Sequence, residues 1–392
     1  MNNDSTINFN SIGKLLEDMR GIIIGELKNM NTLNIIVAGK AGVGKSTLIN
    51  AVFGEDLTET GQGYPVTKSI RRIMNTERPL VLYDSPGLEL KDEQRLQLKI
   101  ELEELIQKRM AEGVENAIHV IWYCINASNN RIEDEEMEWL KDLTTFTTGM
   151  DIPVILVLTR STNKGKAREF KSKIEAMNLD IRNIVPLLAF DDEDEDDNVV
   201  RCHAWGLPTL VSATAQVIPE SVKRTLASLQ QVNTSEKVKA AKMWANSFII
   251  GSAGVGLSPV PFSDALILAP AQVLMLTGIT STFGFQFDKA YLTTVLSSLL
   301  GVAGASFAGR TIVSNLLRFI PGPGTVVGGF ISGTTAALLT AALGRAYIKV
   351  LTKLVENGFT AEMMKDKKNL DKLASMLKQE WQTELKTGSK KI

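Results

Sequence analysis

Cysteine and histidine are scarce in this chain, with two of each among 392 residues. Cys124 and Cys202 provide neither a disulfide framework nor a paired metal spacing. His119 and His203 have no partner at ligand spacing, so core or surface roles are expected for both, and Cys124 sits in an apolar run that reads as core. No stretch interleaves basic and aromatic residues, and the net charge of −1 creates no field that would recruit a polyanion. No nucleic-acid partner is therefore expected. The start, Met1-Asn2-Asn3-Asp4, lacks the charged and apolar regions of a signal peptide. The expected place is a reducing cytosol or the cytoplasmic side of a membrane, and not outside the cell. Charge itself is missing from one long stretch. Residues 243–344 carry five charged side chains, Asp264, Asp288, Lys289, Arg310 and Arg318, where ordinary composition would supply roughly 25.

What is present is a glycine loop in the right setting. Gly39-Lys40-Ala41-Gly42-Val43-Gly44-Lys45-Ser46 fits G-x-x-x-x-G-K-[ST]. Ile35-Ile36-Val37-Ala38 before it reads as a buried strand, and Thr47-Leu48-Ile49-Asn50-Ala51-Val52-Phe53 after it reads as the opening of a helix. Strand, loop and helix N-terminus together aim backbone N–H groups at one point, which suits a polyphosphate. Gly39 and Gly44 permit the backbone geometry the loop needs. The amides from Gly39 to Thr47 would line the phosphates, Lys45 would reach the outer ones, and the Ser46 hydroxyl would coordinate Mg²⁺.

Further motifs follow in order. Leu80-Val81-Leu82-Tyr83 reads as a second strand running into Asp84-Ser85-Pro86-Gly87, a D-x-x-G whose aspartate lies 38 residues beyond Ser46. Asp84 would support Mg²⁺ directly or through water, and the Gly87 N–H would sense the γ-phosphate. Between the two motifs, Gly61-Gln62-Gly63-Tyr64-Pro65-Val66-Thr67 has the make-up of an order–disorder switch loop. Thr67 would meet Mg²⁺ and the γ-phosphate only in the triphosphate state. Thr58 and Thr60 are rivals for that role, and a plain loop leading into a strand at Ser69–Met74 is the other reading. Two more buried runs, Ala117–Ile125 and Pro153–Leu158, precede Thr159-Arg160-Ser161-Thr162. A last strand over Asn183–Ala189 would bring the Leu188–Ala189 backbone to a base. Ser212-Ala213, which resembles a base-contacting pair, falls in a helical pattern and reads as a decoy. The acidic run from Asp191 to Asp197 reads as a solvated loop.

These residues resemble the Era-like branch of the translation-factor-class GTPases, in the small-GTP-binding superfamily. GKAGVGKS, the switch threonine, DSPG and the TRST position carry the likeness over residues 34–225. Ile121–Asn126 with Arg131-Ile132-Glu133-Asp134, and Pro259–Asp264 with Gln272 and Gly284, are similar to a subgroup found in bacterial membrane-associated GTPase families. There the G domain is fused to an apolar helical domain of unknown function. The resemblance implies an α/β P-loop NTPase G domain, with a mainly parallel sheet and helices on both faces, followed by an all-α apolar domain. It implies hydrolysis of GTP to GDP, with Lys45, Thr67 and Gly87 catalytic, Mg held by Ser46, Thr67 and Asp84, and the base read by Thr159, Arg160, Thr162, Leu188 and Ala189.

Three positions depart from the family pattern. Thr162 stands where a guanine-reading aspartate belongs, and one hydroxyl cannot accept from two ring donors. Leu88 replaces a water-orienting Gln, and Gly42 replaces the Asn of potassium-activated relatives. Slow basal hydrolysis is therefore expected, accelerated by self-association or an activating protein that supplies the missing group. The rival readings are a nucleotide-gated switch that recruits a protein partner through a soluble helical domain, an ATPase, and an assembling membrane remodeller.

The chain is expected to divide into four segments: an amphipathic N-terminal helix over 1–33, the G domain over 34–225, an apolar helical domain over 236–362, and a Lys-rich amphipathic tail over 363–392. The uncharged windows 265–287, 290–309 and 319–344 approach the ~20 residues a membrane span needs, so a membrane partner is expected through residues 243–344. Packing into a soluble bundle through the many Gly, Ala, Ser and Thr residues is the competing reading.

Overall fold

The computed structural model describes residues 30–54, 70–74, 79–85, 92–113, 115–193, 199–255, 260–261, 270–285, 326–327, 330–331, 333–360 and 362–388. Thr67, Gly87 and Leu88, the rival threonines Thr58 and Thr60, nearly all of the 1–33 segment and the whole 290–309 window lie outside them. The described residues fall into two compact units, one spanning Met30–Glu236 and the other running from Lys237.

The first unit is built on a six-stranded sheet. Its strands are β1 (Leu33–Gly39), β2 (Arg71–Met74), β3 (Leu80–Asp84), β4 (Val120–Asn126), β5 (Val154–Thr159) and β6 (Asn183–Pro186). The spatial order is β2-β3-β1-β4-β5-β6, with all neighbours parallel except the β2–β3 pair. The helices are α1 (Lys45–Phe53), α2 (Asp92–Ala111), α3 (Asp134–Gly149), α4 (Lys164–Glu175), α5 (Leu207–Val217) and α6 (Glu220–Leu229). A two-stranded ribbon, β7 (Asp192–Glu193) with β8 (Val200–Cys202), takes up the start of the acidic run.

Strands covered on both faces lose their polar alternation, and β1 shows this in being buried at all seven positions. Ile35 and Val37 face a core shared with Leu48, Ile49, Val52 and Phe53 of α1 and with apolar residues of α5 and α6. Ile36 and Ala38 face the opposite core, formed with α2, α3 and α4. Each such side chain contributes roughly 1.5–3 kcal/mol of burial. Together the two layers fix the C-terminal ends of β1 and β3, where ligands of open α/β sheets bind. Phe53 stacks on Trp122 at 5.8 Å, and the Trp122 indole N–H donates to Thr214 Oγ1 at 3.0 Å. Ser212 and Ala213 lie inside α5, so helical spacing read them correctly.

β4 starts at Val120 although the apolar run begins at Ala117. The three residues before it serve a polar junction. The Asn34 N–H donates to His119 Nδ1 at 3.0 Å, and the Asn34 amide donates to Ala117 O at 3.1 Å. His119 is a core residue, and burial pushes its imidazole down to about 4. The unfolded chain therefore binds a proton between pH 6.5 and 4 that the native state refuses, and stability falls as pH is lowered through that window. The full effect is ~3 kcal/mol. Urea unfolding followed at pH 6.5 and pH 4.5 should show this loss, and His119→Asn should flatten it.

The second unit comprises α7 (Thr234–Val255, which enters it at Lys237), α8 (Pro270–Thr282), α9 (Gly333–Glu356) and α10 (Lys367–Gly388). A small antiparallel sheet joins β9 (Val260–Pro261), β10 (Val326–Val327) and β11 (Phe330–Ile331). The sequence pattern did not foresee these two-residue strands, which carry no period to detect. Residues 275–283 are all buried. That accounts for the absence of charge there, since a helix enclosed on every side needs no polar face. Its hydroxyls are satisfied internally: Thr280 Oγ1 and Tyr347 Oη lie 2.5 Å apart, and the Gln272 amide donates to Thr340 Oγ1 at 2.9 Å. Small residues allow a close crossing, as at Gly278, where a Cβ would lie 1.9 Å from Trp244 Nε1. Trp244 is a packing residue, and its indole N–H donates to Met275 O.

The Lys-rich tail packs as well. Leu370, Leu373 and Leu377 of α10 share one core with Leu343, Tyr347 and Leu351 of α9. Arg345 and Lys349 pair with Glu384, and Lys353 pairs with Glu380, so the two helices run antiparallel. Among the described residues no helix is long and apolar enough to cross a membrane.

Candidate nucleotide site

The phosphate loop lies between β1 and α1. Gly39 closes β1 at φ 138°, and a Cβ there would sit 2.3 Å from Cys124 O on the neighbouring strand β4, so only glycine fits. Gly44, in the left-handed region at φ 97°, is the N-cap of α1 and offers no side-chain cap. The first-turn amides at Lys45, Ser46 and Thr47 therefore depend on something other than a capping side chain, and the helix adds about half a positive charge at this end. The Lys45 ammonium donates to Gly39 O at 2.9 Å and to Lys40 O at 3.1 Å. It spans the mouth of the loop that Ala41, Gly42 and Val43 complete.

Asp84 closes β3, in register with Val37 of β1 and Arg71 of β2. Its Oδ1 is buried and has no hydrogen-bond partner among the described residues. Burial raises the carboxyl above the usual carboxylate range, opposed by the charges of Lys45 and Arg71. A buried carboxylate oxygen left without a donor, at the strand end beside Lys45, is what a hydrated divalent cation would satisfy. Mg²⁺ therefore fits Asp84, together with Ser46 on the first turn of α1.

Sequence reasoning missed how the loop is braced. The Lys40 side chain reaches α3, with Nζ 2.5 Å from Glu133 Oε2 and 3.6 Å from Glu136 Oε2. On the other side, the Thr159 hydroxyl donates to Val43 O at 2.6 Å, a contact bifurcated with Ile125 O at 3.1 Å. Thr159 is thus a buried brace of the phosphate loop from the end of β5.

The loops after β5 and β6 are also tied together. Arg160 is exposed and left-handed at φ 52°, and Thr162 is exposed. The Ser161 N–H donates to Leu187 O at 3.0 Å, which fastens the loop after β5 to the loop after β6. Leu188 forms a β-bridge to Trp205, whose indole N–H donates to Ser161 O at 2.8 Å. Trp205 has no periodic or motif context, so nothing in the sequence marked it. Ala189 follows half-buried. Asp191 accepts from the Ala204 N–H and contacts His203 Nδ1 at 2.9 Å. Among the described residues no group of three or more His, Cys, Asp or Glu is arranged for a metal ion.

Residues 34–160 match the family described as 50S ribosome-binding GTPase, and residues 223–382 match a domain of unknown function, DUF697. The chain is thus similar to P-loop GTPases over its first part and to DUF697 proteins over its second. It is 24% identical over 136 residues to magnetosome membrane protein 22 of Magnetospirillum gryphiswaldense, covering 35% of this chain and 63% of that protein. It is 25% identical over 213 residues to GTPase Era of Marinobacter nauticus, covering 53% and 61%. It is 25% identical over 223 residues to neuronal-specific septin-3 of Mus musculus, covering 50% and 61%. The chain thus spans about three-fifths of the length of each of these relatives. Among solved structures, Era in complex with MgGDPNP and 16S ribosomal RNA is similar at 18% identity and TM-score 0.36, covering 55% of this chain and 67% of that one. Toc33 from Arabidopsis thaliana with GDP and Mg²⁺ is similar at 21% identity and TM-score 0.32, covering 52% and 91%.

Proposed function

We propose that this chain hydrolyses GTP to GDP and phosphate, and that the nucleotide state controls the helical domain and its association with a membrane. One observation carries the catalytic part: the Lys45 ammonium, the uncapped start of α1 and the unpartnered Asp84 oxygen converge at the ends of β1 and β3. Water attacks the γ-phosphorus in line, the bond from that phosphorus to the β–γ bridging oxygen breaks, and GDP leaves with the electron pair. Lys45 and the loop amides offset charge that grows on the β- and γ-oxygens. Mg²⁺, when bound through Ser46, Thr67 and Asp84, supplies further positive charge to the same oxygens. Thr67 and the Gly87 N–H, outside the described residues, are the sequence's candidates for the remaining triphosphate contacts. Guanine lies against Arg160, with Thr162 and the Leu188–Ala189 backbone at its edge.

The membrane part rests on the sequence. The 290–309 window holds no charged residue, and a relative bears the name magnetosome membrane protein. Leu88 in place of a water-orienting Gln favours a slow rate in isolation, and at the limit a switch that binds without useful turnover. Phosphate release should be measured per chain across a hundredfold range of protein concentration, with and without liposomes. The expected result is a rise of about tenfold or more as the chain self-associates or meets lipid. A rate that is high in dilute protein and flat across the series overturns the accelerated mechanism. Competition of GTP and ATP for a labelled analogue reads what Thr162 costs, with GTP expected to win.

A further inference from the structure

We propose that Glu133 and Glu136 of the α3 entrance are positioning residues of the nucleotide site, acting through Lys40. The inference rests on the nucleotide reading of the loop. Lys40 is the second residue of that loop, yet its side chain turns away from the Lys45 ammonium and toward α3. Its Nζ lies 2.5 Å from Glu133 and 3.6 Å from Glu136. Its own carbonyl, with that of Gly39, holds the Lys45 ammonium. A chain of contacts therefore runs from the α3 carboxylates to the Lys40 side chain, through its backbone, to the lysine that meets the phosphates.

The setting of Glu136 argues against a casual surface pair. Its side chain is 6% exposed, against 56% for Glu133. Its Oε1 is buried without a partner among the described residues, as is the hydroxyl of Tyr123 on β4. A buried carboxylate paired with one ammonium contributes little net stability, because desolvation offsets the attraction. What such a pair does supply is position: the ammonium has one place to be, and the loop backbone is drawn with it.

The test uses the full chain with mant-GDP and mant-GTP in the presence of Mg²⁺, alongside thermal unfolding. Glu136→Gln, which removes the buried partner of the Lys40 ion pair at 3.6 Å, should weaken both nucleotides alike, by about tenfold. Lys40→Arg, which keeps the charge and can reach both carboxylates, should bind within about threefold of wild type. The double variant Lys40→Met/Glu136→Leu separates position from stability. Replacing the buried pair by apolar side chains should return the melting temperature toward wild type while affinity stays low. Recovery of affinity together with melting temperature would show a purely structural pair and overturn the proposal. Wild-type affinity in Glu136→Gln would overturn it equally. Absence of binding by the wild-type chain would instead refute the nucleotide reading itself.

Discussion

Lys45→Ala is expected to lower the affinity for GDP and GTP by about 100-fold to 1,000-fold while leaving the chain folded. The ammonium already sits across the loop mouth on Gly39 O and Lys40 O, so little side-chain freedom is lost when phosphate arrives. Hydrogen bonds from a charged donor contribute about 1.5–3 kcal/mol each, and this donor is expected to make at least two to the phosphates. Losing its bonds to two loop carbonyls, of buried Gly39 and half-buried Lys40, costs the apoprotein about 1–3 kcal/mol. Titration of mant-GDP into wild type and variant, with circular dichroism as the control for folding, separates the two effects. A variant that binds as tightly as wild type would remove Lys45 from the site.

Asp84→Asn should move stability and function in opposite directions. Burial raises the carboxyl of Asp84, so the native state holds its proton more readily than the unfolded chain does. The group's contribution to stability is therefore largest at acid pH and is lost as pH rises through the unfolded value toward the folded one. At neutral pH the ionised carboxylate is a burden on the apoprotein, and asparagine should relieve it by about 1 kcal/mol, as neutralising strained functional groups commonly does. The same change removes the anionic oxygen that fits Mg²⁺. Wild type should bind GTP more tightly as Mg²⁺ is raised, and the variant should show little of that dependence. Its hydrolysis should fall by about 100-fold or more. Unchanged Mg²⁺ dependence in a stabilised variant would place the metal elsewhere.

The sequence spoke clearly where chemistry demands a fixed residue at a fixed place. The loop glycines were legible because Gly39 packs against the backbone of β4 and Gly44 caps α1 in the left-handed region. The strands were legible because burial on both faces leaves unbroken apolar runs such as Leu33–Gly39. Braces made by tertiary contact were not legible. Nothing in the spacing of Lys40 and Glu136, or of Thr159 and Val43, shows that they touch, since each pair is brought together only by the order of strands in the sheet. Trp205 escaped for the same reason. In the helical unit, the lack of charge points to a membrane or to a core: residues 275–283 are buried in the protein, and the 290–309 window lies outside the described residues. An uncharged helix looks alike in lipid and in a core, and only its neighbours distinguish the two.

Calorimetric titration of the intact chain with GDP and Mg²⁺ reaches the central claim most directly. The account predicts a saturating heat with one nucleotide bound per chain, abolished in Lys45→Ala. A flat trace from folded wild-type protein, with GTP as with GDP, would contradict it.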